Sequence, residues 1–152
     1  MQIREGKMSE KRIVIGCDHG GLNLKNKVIE HLKELSYEVE DVGTYTFDSC
    51  DYPIYAKKVA HKVADGEYEK GIIICGTGIG VSIVANKVKG IRASLCGDTF
   101  SAKATRQHNN SNILCMGERV IGQGLALDIV DIWLTTEYEG GRHQKRIDMM
   151  ED

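Results

Sequence analysis

The sequence predicts a single-domain α/β fold: a doubly wound, three-layer αβα sandwich built on a five-stranded parallel sheet. Three observations predict it. Short apolar, β-branched runs alternate with stretches of helical periodicity. The runs are apolar toward both faces, which demands helices on both sides of the sheet. Glycine is frequent, 17 of 152 residues, while Pro53 is the one proline, a balance that suits tight strand–helix junctions rather than linkers.

The elements follow in order. Arg12-Ile-Val-Ile-Gly-Cys17 reads as the first strand. Leu24, Val28, Leu32 and Leu35 then share one face at a period near 3.6. A weaker strand lies at 38–42. Asp51-Tyr-Pro53 starts the next helix, with proline in its first turn, and Ala56, Val59, Ala60 and Val63 form its apolar stripe. The third strand is 71–75. Val81 to Val88 is apolar on most sides and reads as a buried helix. Strands at 91–96 and 112–116 flank a polar-faced helix at 101–107. Leu125, Ile129, Ile132 and Trp133 make a further stripe, and Gly140-Gly141 breaks the chain before a charged tail. Five strands in this pattern fit the order 2-1-3-4-5. The length fits one domain, spanning residues 11–152. Residues 1–10 read as an N-terminal extension; with Met8 as an alternative start, residues 1–7 would be upstream sequence or an expression remnant.

Composition narrows the function classes. A formal net charge of −2 gives no electrostatic case for a nucleic-acid or membrane-surface protein. No run of 18 apolar residues predicts a membrane span, and the opening MQIREGKMSEKR lacks the apolar stretch of a signal peptide. The five cysteines, at 17, 50, 75, 96 and 115, include no C-x-x-C pair. Neither a disulfide framework nor a zinc ribbon is expected, and a reducing cytoplasm is the natural compartment. Cys17, Cys96 and Cys115 read as small core hydrophobes.

In open parallel sheets, ligands bind beyond the carboxyl ends of the strands, where the strand order switches direction. With strands 1 and 3 flanking that point, two turns meet there: Asp18-His19-Gly20-Gly21 and Cys75-Gly76-Thr77-Gly78-Ile79-Gly80. Alternating glycines let backbone N–H groups turn inward at a helix start and form an anion nest; a plain tight turn is the alternative. The spacing G-x-G-x-G matches neither the dinucleotide fingerprint nor a phosphate-binding P-loop. Val81 stands where a Cys-x5-Arg phosphatase loop needs arginine. Cys75 abuts the helix start, a setting that favours a thiolate, or it is a buried core residue. Asp18 and His19 suit sugar hydroxyls or a phosphate, and Asp18 can also cap the next helix. His108 ends a helix beside Asn109. Arg142 and Arg146 share a face if their segment is helical, and suit a phosphate; a solvated tail is the alternative. Arg119 follows the fifth strand. His31, His61 and His143 carry no motif and read as surface residues.

Together, Gly16-Cys-Asp-His-Gly-Gly21, Asp51-Tyr-Pro53, Cys75-Gly-Thr-Gly-Ile-Gly80, Asn86-Lys, Gly90-Ile-Arg-Ala93, His108-Asn109, Asn112, Gly117-Glu-Arg-Val120 and Gly141-Arg-His143 resemble the type B ribose-5-phosphate isomerases. That family also holds galactose-6-phosphate isomerase subunits and allose-6-phosphate isomerases. The resemblance runs from about residue 11 to 147. It implies reversible aldose–ketose isomerisation of a small phosphorylated sugar, ribose 5-phosphate to ribulose 5-phosphate, with no metal and no organic cofactor. Cys75 matches the base that moves a proton between C2 and C1 through a cis-enediolate. The backbone of Gly76, Thr77, Gly78, Ile79 and Gly80 matches the anion hole. His108 matches the ring-opening histidine, with Asn109 beside it. Asp18, His19, Tyr52, Arg119, Arg142 and Arg146 match substrate-binding positions, with the arginines on phosphate. Some members use a glutamate a few residues after the cysteine position; here Cys75 is present and position 79 is isoleucine. A six-carbon phosphosugar isomerase and a non-catalytic sugar-phosphate sensor stay open as alternatives.

Geometry adds an expectation about assembly. A helix that starts near Asp98, at the carboxyl edge of the sheet, runs back toward the amino edge. His108 lies ten residues along it, about 15 Å away. If His108 opens the sugar ring, it must come from a neighbouring chain. The expectation is a homodimer, or a dimer of dimers, with shared active sites.

Overall fold

The computed structural model describes residues 11–151; the expected extension at residues 1–10 lies outside them. Five strands form one sheet: Arg12–Cys17 (β1), Glu38–Asp41 (β2), Lys70–Cys75 (β3), Ala93–Leu95 (β4) and Ile113–Gly117 (β5). The helices are Leu22–Glu34 (α1), Tyr52–Ala64 (α2), Ile79–Ala85 (α3), Thr99–Asn109 (α4), Gln123–Thr135 (α5) and Arg142–Met150 (α6), with a 3-10 turn at His19–Gly21. Every strand pair is parallel. Among the described residues no helix is long and apolar enough to cross a membrane.

Side chains alternate along each central strand and split the core in two. Ile13, Ile15, Ile72, Ile74, Leu114 and Met116 face α1, α4 and α5, meeting Leu24, Val28, Ala102, Ile129 and the fully buried Trp133. Val14, Ile73, Cys75, Ile113 and Cys115 face α2 and α3, meeting Val59, Ala60, Val81 and Ala85. These are the three layers read from the sequence.

The strand order is β2-β1-β3-β5-β4, which corrects the expected 2-1-3-4-5 in its last two places. The physical reason lies in the runs themselves. β5, Ile113-Leu-Cys-Met-Gly117, is buried at every position and must have neighbours on both edges. β4 has three residues, all at least partly exposed, and suits an edge. The switch point between β1 and β3 is unaffected, but β5 now lies directly beside β3. The fourth strand is also shorter than the 91–96 read from the sequence.

Two helices differ from expectation. α3 is not buried all round: Ile79 and Ile83 are 50% and 56% exposed on its outer face. The segment after Gly140-Gly141 is a helix rather than a tail, and it buries His143 and Ile147 against the body. His143, read from the sequence as a surface residue, is only 6% exposed. An i, i+4 pair of inward side chains anchors this otherwise charged helix.

The turns at the carboxyl ends of β3 and β5 touch backbone to backbone. A Cβ at Gly117 would stand 2.5 Å from the carbonyl carbon of Thr77, so only glycine fits this approach. Gly117→Ala must force the two turns apart. Overpacking of this kind costs about 1–3 kcal/mol, so a thermal melt should fall by roughly 2–10 °C. An unchanged melting temperature would contradict the packing described.

Candidate active site

The two glycine-rich turns meet at the switch point. Asp18 caps the 3-10 turn: its Oδ1 accepts the Gly20 N–H at 2.9 Å. A Cβ on Gly20 would stand 3.2 Å from the amide nitrogen of Gly76, so the first turn lies directly on the second. His19 Nδ1 accepts the backbone N–H of Cys50 at 3.2 Å. A neutral His19 therefore carries its proton on Nε2. Cys50 Sγ lies 3.8 Å from the same Nδ1. No sequence signal placed Cys50 there.

Cys75 ends β3 with 6% exposure. Its Sγ accepts the Gly78 N–H at 3.1 Å, the kind of contact that suits a negatively charged sulfur. Gly78 adopts φ +80° ahead of α3, a conformation that favours glycine, and this bend aims its N–H back at the sulfur. Thr77 Oγ1 accepts the Ile79 N–H. Among the described residues, the N–H groups of Gly76, Thr77 and Gly80 have no hydrogen-bond partner. The Tyr52 ring packs on Gly80, where a Cβ would stand 2.7 Å from it. Unpartnered N–H groups in a glycine-rich turn at a helix start are what an anion nest requires.

Burial pushes Cys17 up to about 12 and Cys96 up to about 11, and raises Cys115 as well. They behave as core hydrophobes, as read from the sequence.

The placement of β5 brings Arg119 to the nest of its own chain. Glu118 N–H donates to Cys75 O at 2.9 Å and Arg119 N–H to Gly76 O at 3.0 Å. The Arg119 side chain lies along Gly76, with its Cδ 3.4 Å from where a Cβ would be. Glu118 also caps α1, accepting the Leu24 N–H. A cavity of about 350 Å³ flanks the nest, bounded by Thr77, Ile79, Leu95, Cys96, Gly117 and Val120. None of its lining residues is charged.

His108, Asn109, Arg142 and Arg146 lie elsewhere. α4 ends at the amino edge, where Arg92, just before β4, donates from Nε to Asn109 O at 2.9 Å. Cys75 is five residues along β3 from Lys70, or roughly 16 Å from that edge at the usual strand rise. Glu139 N–H donates to Gln107 O, which seats α6 against the end of α4. The rings of His108 and His143 stack, with centroids 4.6 Å apart. Arg142 and Arg146 are exposed one turn apart on α6. One chain thus carries the residues expected at the site as two separate groups at opposite edges of its sheet.

His108, Glu139 and His143 form a cluster whose ligand atoms lie within 4.8 Å of one another. Their geometry suits a stacked pair better than a metal centre. The rings are 21° from parallel, so their lone pairs run side by side instead of converging on a tetrahedral ion. His143 Nε2 is 3.3 Å from Glu139 Oε1, yet it makes no hydrogen bond. The sequence missed His143 because its neighbours, Arg142 and Arg146, carried the visible signal; the i+1 position between them is the one that turns inward.

Residues 13–150 match the model of the Ribose/Galactose Isomerase family, and the chain belongs to that family. It is 53% identical over 138 residues to ribose-5-phosphate isomerase B of Escherichia coli, covering 91% of this chain and 93% of that protein. The solved structure of ribose-5-phosphate isomerase B from Clostridium thermocellum aligns with a TM-score of 0.91 at 53% identity, covering 92% of this chain and 95% of that one. The enzyme from Mycoplasma genitalium, solved with bound ribulose-5-phosphate, aligns with a TM-score of 0.89 at 45% identity, covering 92% and 93%.

The thiol environments predict a labelling order. At pH 8, iodoacetamide should modify half-buried Cys50 and nest-facing Cys75 in the native protein. Cys17, Cys96 and Cys115 should react only after unfolding. Peptide mapping by mass spectrometry reads the result. Native labelling of Cys96 as fast as that of Cys50 would contradict the burial described.

Proposed function

We propose that the protein interconverts ribose 5-phosphate and ribulose 5-phosphate, an aldose–ketose isomerisation through a cis-enediolate. One observation carries the reading: a cysteine sulfur at a strand end, held by the Gly78 N–H inside a turn with further N–H groups free. The reaction needs these two things within a few ångströms of each other, a base for the C2 proton and donors for the oxygen that gains charge.

In this reading Cys75 takes the proton from C2 of the open-chain aldose and returns it to C1. The N–H groups of Gly76, Thr77 and Gly80 stabilise the enediolate oxygen, with Gly78 and Ile79 shaping the turn. Asp18, His19 and Tyr52 border the sugar, and Arg119 lies along the nest. His108, with Asn109, opens the furanose ring, while Arg142 and Arg146 bind the phosphate. The chemistry is complete with protein groups alone, so EDTA should leave activity intact.

Since His108 and Cys75 occupy opposite edges of one sheet, the working site combines the nest of one chain with the α4 and α6 ends of another. The protein acts as a homodimer, or a dimer of dimers, in which each site draws on two chains. The odd cysteine count and the absence of a pairing pattern favour a reducing cytoplasm.

The roles predict a split in kinetics. Cys75→Ala should lower kcat by about 10²–10⁴-fold with KM little changed. Arg142→Ala and Arg146→Ala should each raise KM roughly ten-fold or more, the scale of losing a charge-assisted contact, with a smaller effect on kcat. A coupled assay on ribose, allose and galactose phosphates reads both the roles and the preferred sugar. Near-normal kcat in Cys75→Ala would overturn the assignment of the base. Binding of ribose 5-phosphate without turnover by the wild type would make the protein a sensor.

A further inference from the structure

We propose that Arg92 is the positioning residue for His108: its guanidinium fork fixes the last turn of α4 and so holds the imidazole where ring opening needs it. The proposal rests on the role given to His108 above.

His108 and Asn109 are the last two residues of α4. The final carbonyls of a helix have no partner within it, and helix ends fray. Here Glu139 N–H takes Gln107 O, and Arg92 supplies the partner of the last helical carbonyl and of the one just beyond it. Its Nε donates to Asn109 O at 2.9 Å and its Nη2 to Asn110 O at 3.1 Å. The remaining nitrogen, Nη1, donates to Glu151 Oε1 at 3.1 Å, just beyond α6. One planar group thereby ties the end of α4 to the end of the helix that carries Arg142 and Arg146.

Arg92 is itself held firmly. Its N–H donates to Asn112 Oδ1 at 2.9 Å, and the Asn112 N–H donates back to Arg92 O at 3.0 Å. The anchor therefore runs from the start of β5 through Arg92 to the backbone of Asn109. The imidazole of His108 is exposed, and its ring contact is the stack on His143. A stack fixes ring separation but leaves the ring free to slide, so the backbone at the end of α4 sets the position from which His108 reaches out. A guanidinium suits the task because its donors are fixed in one plane, and a lysine reaches only one carbonyl. Arg106 holds the next stretch instead, donating to Asn110 Oδ1 and Ser111 O.

Ring opening can be measured apart from isomerisation. Cys75→Ala lacks the base, yet opening and reclosing of bound ribose 5-phosphate interconverts its α and β anomers. Saturation transfer between the anomers of [1-13C]ribose 5-phosphate reads that rate by NMR. In the Cys75→Ala background, added protein should accelerate exchange, and His108→Ala should abolish the acceleration. Arg92→Met should lower it at least ten-fold, and Arg92→Lys should fall between. Circular dichroism should be unchanged, and the Kd for ribulose 5-phosphate, which has no ring to open, should move less than three-fold. Exchange in Arg92→Met equal to its parent would overturn the positioning role and leave His108 standing. Equal losses of exchange and of ribulose 5-phosphate binding would also overturn it, making Arg92 a support of the fold. No acceleration by Cys75→Ala, or full acceleration without His108, would overturn the role of His108 and the proposal with it. If Arg92→Met fails to fold, Arg92→Lys decides alone: parental exchange overturns the proposal, and a three-fold or larger fall supports it.

Discussion

The site depends on the backbone-to-backbone approach of three turns at the carboxyl end of β3. The turn after β1 lies on Gly76 through Gly20, and the turn after β5 lies on Thr77 through Gly117. Side chains at these contacts would separate the layers by the width of a methyl group or more. Because they are absent, the Cys75 sulfur, the Gly78 N–H and the Arg119 side chain stand within one small volume. The sheet order follows the same demand. β5 must sit beside β3 for Glu118 and Arg119 to bond Cys75 and Gly76, and the wholly buried sequence of β5 places it there.

The same architecture imposes a separation. In a parallel sheet each crossover helix carries the chain back from the carboxyl edge to the amino edge. α4 begins at Thr99, capped by Asp98 beyond β4, and its last residues are necessarily remote from the glycine-rich turn after β3. α6 then packs against that remote end and brings its arginines with it. A single chain holds Cys75 and the glycine-rich turn after β3 at one edge, and His108 with the exposed Arg142 and Arg146 at the other. In the function proposed above, a two-fold partner brings the two groups together. Arg92 joins the end of α4 to Glu151, just beyond α6, at one guanidinium.

Much of this was legible in the sequence because glycine spacing and apolar runs report directly on backbone geometry. The nest was read from Gly76, Gly78 and Gly80, and the layers from alternation in β1, β3 and β5. The distance of His108 from the nest followed from helix rise alone. What was not legible depended on long-range pairing. Strands 4 and 5 were placed in chain order, although Arg92 and Ser94 within the fourth run already marked it as an edge. His143 reads as a surface residue because its neighbours are charged, and its burial comes from the packing of α6 against the body, which no local pattern reports. The bonds from Arg92 to Asn109 and Asn110, and from Cys50 to His19, join residues whose proximity no local pattern encodes.

The central claim is that each working site is made by two chains, and subunit mixing tests it most directly. Cys75→Ala and His108→Ala chains, each folded, dimeric and inactive alone, would be unfolded together and refolded as a mixture. With shared sites, random pairing leaves about one quarter of all sites intact, so roughly a quarter of wild-type activity should appear from two dead proteins. A mixture that stays inactive after proven subunit exchange would contradict the account and place His108 in the site of its own chain.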